Sequence, residues 1–351
     1  AAGIERVNQS RASLKIAGAS LLPSAEASFS AGRNRNNPAN GSTTNKTDVS
    51  AGLSIGYDLD LFGANRANNA AARASLKASE YTQKSLELAT AGDVSEAYFN
   101  LLMTRERIRI GNENLKNSTE LLRIVDARVN AGVDSNLELS QQRVAVSNSE
   151  ASLASLTQTE VIYKNALAIL LGNAPQEFTL TTGDLTAILI PVVAAGQPST
   201  LLERRPDIAS VEQQLIAANA NIGVARAAYF PDVTLGLTAS AASTGFTDPI
   251  GTGLGLVGSL TAPIFQGGRL EGGVELATAQ QKELIANYRQ TVLNSYGEVE
   301  NALSAVQTTS AREAALKTAV SEAQKAYEIS RKRYQVGTID FATMLDTQAN
   351  L

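Results

Sequence analysis

The groups in this chain that could do chemistry are few in kind. Its 351 residues hold 34 aspartates and glutamates, 30 lysines and arginines and nine tyrosines, but no histidine and no cysteine. Without histidine there is neither the usual general base nor the commonest transition-metal ligand. Without cysteine there is no thiolate nucleophile, no thiolate metal site and no disulfide. Catalysis would have to run on carboxylates, lysine or tyrosine, and no acidic pair sits in a recognisable pocket motif. A carboxylate hydrolase is therefore disfavoured; no catalytic residue, metal site or cofactor is expected. A net charge of −4 gives no basic stripe for nucleic acid. Only two methionines occur, which lends little support to a methionine-rich copper relay.

What remains is scaffold, and the scaffold repeats. Leu21-Leu22-Pro23-Ser24 is echoed by Tyr229-Phe230-Pro231-Asp232, and Leu61-Phe62 with Gly63 and Arg66 by Ile264-Phe265 with Gly267, Gly268 and Arg269. Arg128-Val129-Asn130-Ala131-Gly132 is echoed by Arg333-Tyr334-Gln335-Val336-Gly337, so the copies lie about 200 residues apart. Each half reads as helix, proline, two alternating segments, a Gly-rich corner, a very long helix, a glycine turn and a further helix.

The alternating segments are clean. Val49, Ala51, Leu53, Ile55 and Tyr57 alternate with Ser50, Gly52, Ser54 and Gly56, and Ala25, Ala27, Phe29 and Ala31 alternate with Ser24, Glu26, Ser28 and Ser30. Val233, Leu235, Leu237 and Ala239 do the same in the second half, and Leu254, Leu256 and Leu260 more weakly. Period two over this length marks strands with one apolar and one polar face. A soluble sandwich and a membrane-barrel hairpin both fit that pattern. The stretch Leu185–Ala195, broken by Pro191, is too short for a membrane helix.

The helical segments are longer than globular helices. From about Ala64 to Val129 only scattered glycines interrupt, and Val94, Leu101, Ile108, Leu115, Leu122 and Val129 recur every seven residues. Val292, Val299, Val306, Val320, Tyr327 and Tyr334 continue the frame in the second half with Glu313 intruding; Leu139, Val146, Leu153 and Leu167 carry it on the return helix around Glu160. That repeat predicts helices wound left-handedly around one another. Gly132 and Gly337 permit a tight reversal, and Arg128 and Arg333 stand one turn earlier, where a cation favours a helix C-terminus. Between the halves, Gly172–Arg205 reads as a mixed connector; Thr200 with Glu203 predicts a capping box ahead of Pro206. Two hairpins give four strands, too few for a closed membrane barrel. Open edges are not tolerated in hydrocarbon, so membranous strands would require several chains to close one wall.

Longer motifs now carry a resemblance. Leu201-Leu202-Glu203-Arg204-Arg205-Pro206-Asp207-Ile208, with the run from Ala217 to Pro231, closely resembles the TolC-like outer-membrane efflux ducts, and more narrowly their OprM/NodT-type lipoprotein branch. Pro263-Ile264-Phe265-Gln266-Gly267-Gly268-Arg269-Leu270 and Asn165–Gly172 match as well, so the resemblance covers essentially the whole chain. It implies a membrane β-barrel continued by a long α-helical coiled-coil barrel: a homotrimer with twelve strands and a twelve-helix periplasmic tunnel. The divisions expected are a tunnel helix over 1–22, barrel hairpin 1 over 23–62 and a long helix, tip turn and return helix over 63–171. An equatorial connector over 172–205 and a tunnel helix over 206–230 follow. Barrel hairpin 2 over 231–265 and a second long helix, tip turn and start of a return helix over 266–351 complete them.

The function implied is that of a passive exit duct in the outer membrane of a Gram-negative bacterium. It would dock a periplasmic adaptor and an inner-membrane pump, usually proton-driven, and conduct drugs or other small toxic compounds outward. A lipid anchor is expected outside the given sequence. Type I protein secretion and metal efflux use the same fold; a soluble coiled-coil structural protein is the alternative from another class. For the site, the resemblance puts Tyr334 on a gate tyrosine, Asp346 on a carboxylate ring and Glu138 on an acidic partner position. Thr343 stands where a second aspartate, and Ile339 where an arginine, would be expected. Arg128, Gly132, Val133, Arg333, Gly337 and Thr338 would present the tips to the adaptor.

Overall fold

The structure, a computed structural model, describes residues 2–36, 39, 41, 44–180, 183, 185–190, 203–245 and 248–351. Its elements are α1 (Ala2–Ala19), β1 (Ser24–Asn36), β2 (Thr44–Asp58), α2 (Ala64–Asn130), α3 (Asn136–Leu170), α4 (Pro206–Ala227), β3 (Asp232–Ser243), β4 (Gly251–Thr261), α5 (Arg269–Gln335) and α6 (Phe341–Ala349), with a short 3-10 turn at Leu185–Ala187. They form two units: Ala1–Leu86 with Gln197–Tyr296, and Glu87–Gly196 with Gly297–Leu351. Among the described residues, no helix is long and apolar enough to cross a membrane.

The first unit holds one antiparallel sheet in the order β1-β2-β3-β4. Its registers put Ala27 opposite Leu53, Leu53 opposite Ala239, and Ala239 opposite Leu254. Since side chains alternate along a strand, one face is apolar across all four strands. The other carries rows such as Ser28, Gly52, Ser240 and Gly253. A methyl group added at Gly52 or Gly253 would come within 3.0 Å of the hydroxyl of Ser28 or Ser240, so the small residues set how closely the polar rows approach. The apolar face is bare: Phe29 is 72% exposed, Leu254 80% and Leu256 78%. Among the described residues, β1 and β4 each have one pairing partner, so each leaves one backbone edge open.

The helices of this unit approach through small residues. Ala71, Ala74, Ala78, Ala217, Ala218 and Ile222 are buried. Ser210 Oγ lies 2.9 Å from Thr82 Oγ1 and donates to the Ala78 carbonyl, which satisfies the polar atoms that such proximity buries. At the strand-to-helix corners, Phe62 stacks on Phe230 with centroids 4.6 Å apart, joining the two repeats. Asp60 turns the first corner with φ of +44° and accepts from the backbone N–H groups of Asn65 and Arg66 at 2.9 Å, occupying orphan donors at the start of α2. The second corner uses Gly267 and Gly268 instead. α4 begins with Pro206 in its first turn and with Arg205 as an N-cap that makes no side-chain cap bond; Thr200, expected to cap this region, lies outside the described residues.

In the second unit the frame read from sequence is buried at Leu101 and half-buried at Val94, Ile108, Leu115, Leu122 and Val129. The companion frame three residues on is buried as deeply or more so, yet Ala97, Thr104, Gly111 and Ser118 in it are small or polar, and Val125 alone is a larger apolar residue. An added methyl at Gly111 would meet Leu153 Cδ1 at 3.1 Å, which shows how near α3 runs. Glu160, which interrupts the apolar frame of α3, pairs with Arg105 of α2 at 2.8 Å. Phe178 and Leu180 of the connector pack on the cluster of Ala97, Leu101 and Leu167. Along α5 the frame divides. Tyr327 and Tyr334 are buried, whereas every residue from 304 to 322 is exposed, Val306 and Val320 included. α6 covers only the last turns of α5.

Candidate functional site

The two glycine turns have one geometry. Gly132 N–H donates to the Val129 carbonyl and Val133 N–H to that of Arg128, both at 2.9 Å; Gly337 donates to Tyr334 at 3.0 Å and Thr338 to Arg333 at 2.9 Å. Each is a paired-bond helix stop whose glycine must be left-handed, with φ of +72° at Gly132 and +74° at Gly337. Three residues after each glycine an N-cap starts the next helix: Ser135, whose Oγ accepts from Leu137 N–H, and Asp340, whose Oδ1 accepts from Thr343 N–H at 2.8 Å. An added methyl at either glycine meets nothing within 4 Å, so the constraint is backbone conformation alone. Gly132→Ala and Gly337→Ala are each expected to cost about 1 kcal/mol, and asparagine less, because it tolerates the left-handed region better. Thermal melts of the detergent-solubilised protein read the difference, and equal stability of the glycine and alanine forms would contradict it.

Between the turns lies a charged tie. Arg128 donates to both carboxylate oxygens of Asp134, Nε to Oδ2 at 2.8 Å and an Nη to Oδ1 at 3.0 Å. Its other Nη donates to the Tyr334 carbonyl at 3.1 Å, and the guanidinium lies 4.7 Å from the centroid of the Tyr334 ring. Tyr334 Oη donates to Asp134 Oδ2. One arginine thus closes its own turn, satisfies a terminal carbonyl of α5 and stacks on a ring from the second repeat. The hydrogen bond from Arg128 holds the Asp134 carboxyl below the usual carboxylate range despite opposing burial, and the Tyr334 bond adds to it. Burial first, and then the bond to Asp134, raise the Tyr334 hydroxyl above its ordinary value.

Beneath the tie Tyr334 is 1% exposed and packs in one cluster with Leu121, Val125, Tyr327, Phe341 and Met344. A polar thread crosses the same layer: buried Gln142 Nε2 donates to the Ser118 carbonyl at 2.9 Å, and Gln348 Nε2 donates to Ser118 Oγ. It joins α2, α3 and α6.

Of the residues expected at the site, Arg128 and Tyr334 meet directly. Glu138 does not join them. It stands at the third position of α3, accepting from Ser135 N–H at 3.0 Å and from the Ser135 hydroxyl. The acidic partner of Tyr334 within the chain is Asp134. Asp346 is exposed on α6, where its carbonyl accepts from Asn350; Thr343, also exposed, contributes its N–H to the Asp340 cap. Val133, Arg333 and Thr338 are exposed at the turns. The two repeats do not point to Asp134 through the residues that they share. Their differences carried the signal: Asp134 stands where the second copy has Ile339, and Tyr334 where the first has Val129. The two substituted positions are the ones that bond. Among the described residues, no group of histidine, cysteine or carboxylate side chains could hold a metal ion.

A four-stranded sheet bare on an apolar face, and long helices ending in tied turns, are the parts expected of a membrane duct. Comparison with known proteins gives that class its family. The model for the outer membrane efflux protein family matches residues 1–173 and 197–351, and the chain belongs to this family. It is 37% identical to the pyoverdine export outer membrane protein OpmQ of Pseudomonas putida over 363 residues, covering all of this chain and 77% of the relative. It is 32% identical over 350 residues to a probable efflux pump outer membrane protein, TtgC, of Pseudomonas putida, covering 97% and 72%. A crystal structure of CusC superimposes with a TM-score of 0.91 at 27% identity, covering 99% of this chain and 82% of that one. The protein is an outer-membrane efflux channel with a periplasmic extension.

Proposed function

We propose that three copies of the chain share one wall. The observation that carries this reading is the sheet: four strands, one continuous apolar face, and an unpaired edge on both β1 and β4. Unpaired backbone groups are costly in hydrocarbon, so β1 of one copy pairs with β4 of the next until the wall closes. Three sheets of four strands give a twelve-strand barrel, with the apolar face to lipid and the serine, threonine and glycine rows lining the lumen. The exposed stretch 304–322 of α5 is then the surface over which neighbouring copies build the helical tunnel.

This reading keeps the divisions of the chain expected from its sequence as the proposed ones. The duct conducts small organic solutes passively, supplied by an inner-membrane pump through a periplasmic adaptor that docks on the glycine turns. The exposed Val133, Arg333 and Thr338 offer that contact. The Arg128–Asp134–Tyr334 tie fastens the two hairpins to each other at the tunnel end, and a ring of three Asp346 carboxylates draws cations toward it. Native mass spectrometry from detergent is expected to give three times the protomer mass, and a monomer folded without amphiphile would end the reading. In planar bilayers a Tyr334→Phe plus Asp346→Ala variant is expected to conduct more than the wild type; unchanged conductance would remove the gate assignment while leaving the duct.

A further inference from the structure

The apolar face of the sheet ends in two arginines. β1 pairs with β2 without interruption from Ser24 to Asn36, so Arg33 and Arg35 fall on the same face as Ala25, Ala27, Phe29 and Ala31, at the end away from the helices. Both are exposed. Their register partners are Thr47 and Asn45, and the same face of β3 and β4 ends in Ser243 and Thr252. Among the described residues, no carboxylate stands on this face of the strands. Asp48 alternates to the polar face, where Asn34 Nδ2 donates to it at 3.4 Å. Asp248, in the turn after β3, accepts from Thr244 Oγ1 at 3.0 Å.

Two guanidinium groups side by side, roughly 7 Å apart along the strand, repel unless an anion lies between them. A single arginine here would be an ordinary case of a long side chain reaching from an apolar wall to water. A pair at one rim, with no acid on its face, asks for a partner that is anionic and sits at membrane depth. We infer that Arg33 and Arg35 grip the phosphate of a phosphorylated lipid headgroup in the outward leaflet of the outer membrane. Guanidinium forks match phosphate oxygens two at a time, and the acyl chains of the same lipid then lie along Phe29 and Ala31 below. The inference rests on the sheet being the barrel wall with its apolar face to lipid.

The test uses the full chain reconstituted in phosphatidylcholine nanodiscs containing a minority of diphosphorylated lipid A. Lipid retained through detergent extraction is counted by mass spectrometry. Wild-type protein is expected to retain lipid A at least about fivefold above its share of the bilayer, and Arg33→Gln plus Arg35→Gln to retain it at that share. Arg33→Lys plus Arg35→Lys is expected to fall between, since an ammonium cannot form the fork. A second arm needs no variant: wild type with enzymatically dephosphorylated lipid A is expected to show no enrichment. Equal retention by the glutamine variant, or of the dephosphorylated lipid, would overturn the inference. Loss of enrichment in 10 mM inorganic phosphate would overturn the assignment to a lipid. Failure of the barrel reading looks different, because the protein would then neither insert nor conduct.

Discussion

Asp134→Ala is expected to loosen the tip by about 2–3 kcal/mol. The substitution leaves the Arg128 guanidinium, 19% exposed, and the Tyr334 hydroxyl facing each other without the carboxylate that both address. Breaking a fully buried ion pair costs about 3–5 kcal/mol and an exposed one less than about 1, and this pair lies nearer the first limit. The readout is amide hydrogen exchange in the last turn of α5 and in α6, which rises tenfold for each 1.4 kcal/mol of lost local stability. Exchange there is expected to speed up roughly 30- to 150-fold while the sheet is unchanged; a change below about threefold would mean the tie holds nothing. Arg128→Met combined with Asp134→Ala is expected to recover part of the loss, since no uncompensated cation remains.

The pH dependence has a defined sign. The Asp134 carboxyl titrates lower in the folded protein than in the unfolded chain, because Arg128 and Tyr334 donate to its ionised form. Its contribution is therefore complete above the unfolded value near pH 4 and disappears as pH falls through the folded one. Tyr334 is shifted upward, so its contribution is complete below about pH 10 and lost only in strong alkali. The tie is at full strength at neutral pH. In thermal melts, the advantage of wild type over Asp134→Asn is expected to vanish only below about pH 4.

How much of this was legible beforehand depended on the type of residue that carried it. The strands were, because period two shows in alternating side chains such as Leu53, Ser54 and Ile55. The long helices were, because Leu101 and Leu122 stand out among alanine and serine. The deeper seam was not: Ala97, Thr104, Gly111 and Ser118 pack by being small, and a search for apolar repeats passes over them. The tip was half legible. Gly132 and Gly337 give the turns away, since only the left-handed region stops both helices. The bond between the repeats joins positions where they differ, and a reading built on what two copies share cannot see it. Arg105 and Glu160 make the same point, for each alone reads as a solvated charge on its own helix.

The orientation of the sheet is the second large effect, and one pair of substitutions decides it. Leu256 lies midway along β4 on the bare apolar face, 78% exposed. Thr238 lies midway along β3 on the opposite face, beside Gly255. If the apolar face meets lipid, Leu256→Arg puts a cation near the middle of the hydrocarbon and costs about 2–4 kcal/mol. Thr238→Arg puts the same cation in the water-filled lumen, where it costs less than about 1 kcal/mol and repels permeating cations instead. The expected outcome is a clean separation: Leu256→Arg refolds poorly into vesicles and unfolds at lower urea, with unaltered conductance in whatever fraction inserts. Thr238→Arg refolds like the wild type and conducts cations less well. A soluble sheet predicts another pattern, because arginine on an exposed face in water is nearly free on either side. Equal refolding of the two variants, with unaltered ion selectivity in both, would leave the apolar face without lipid against it and the four strands without a wall to close.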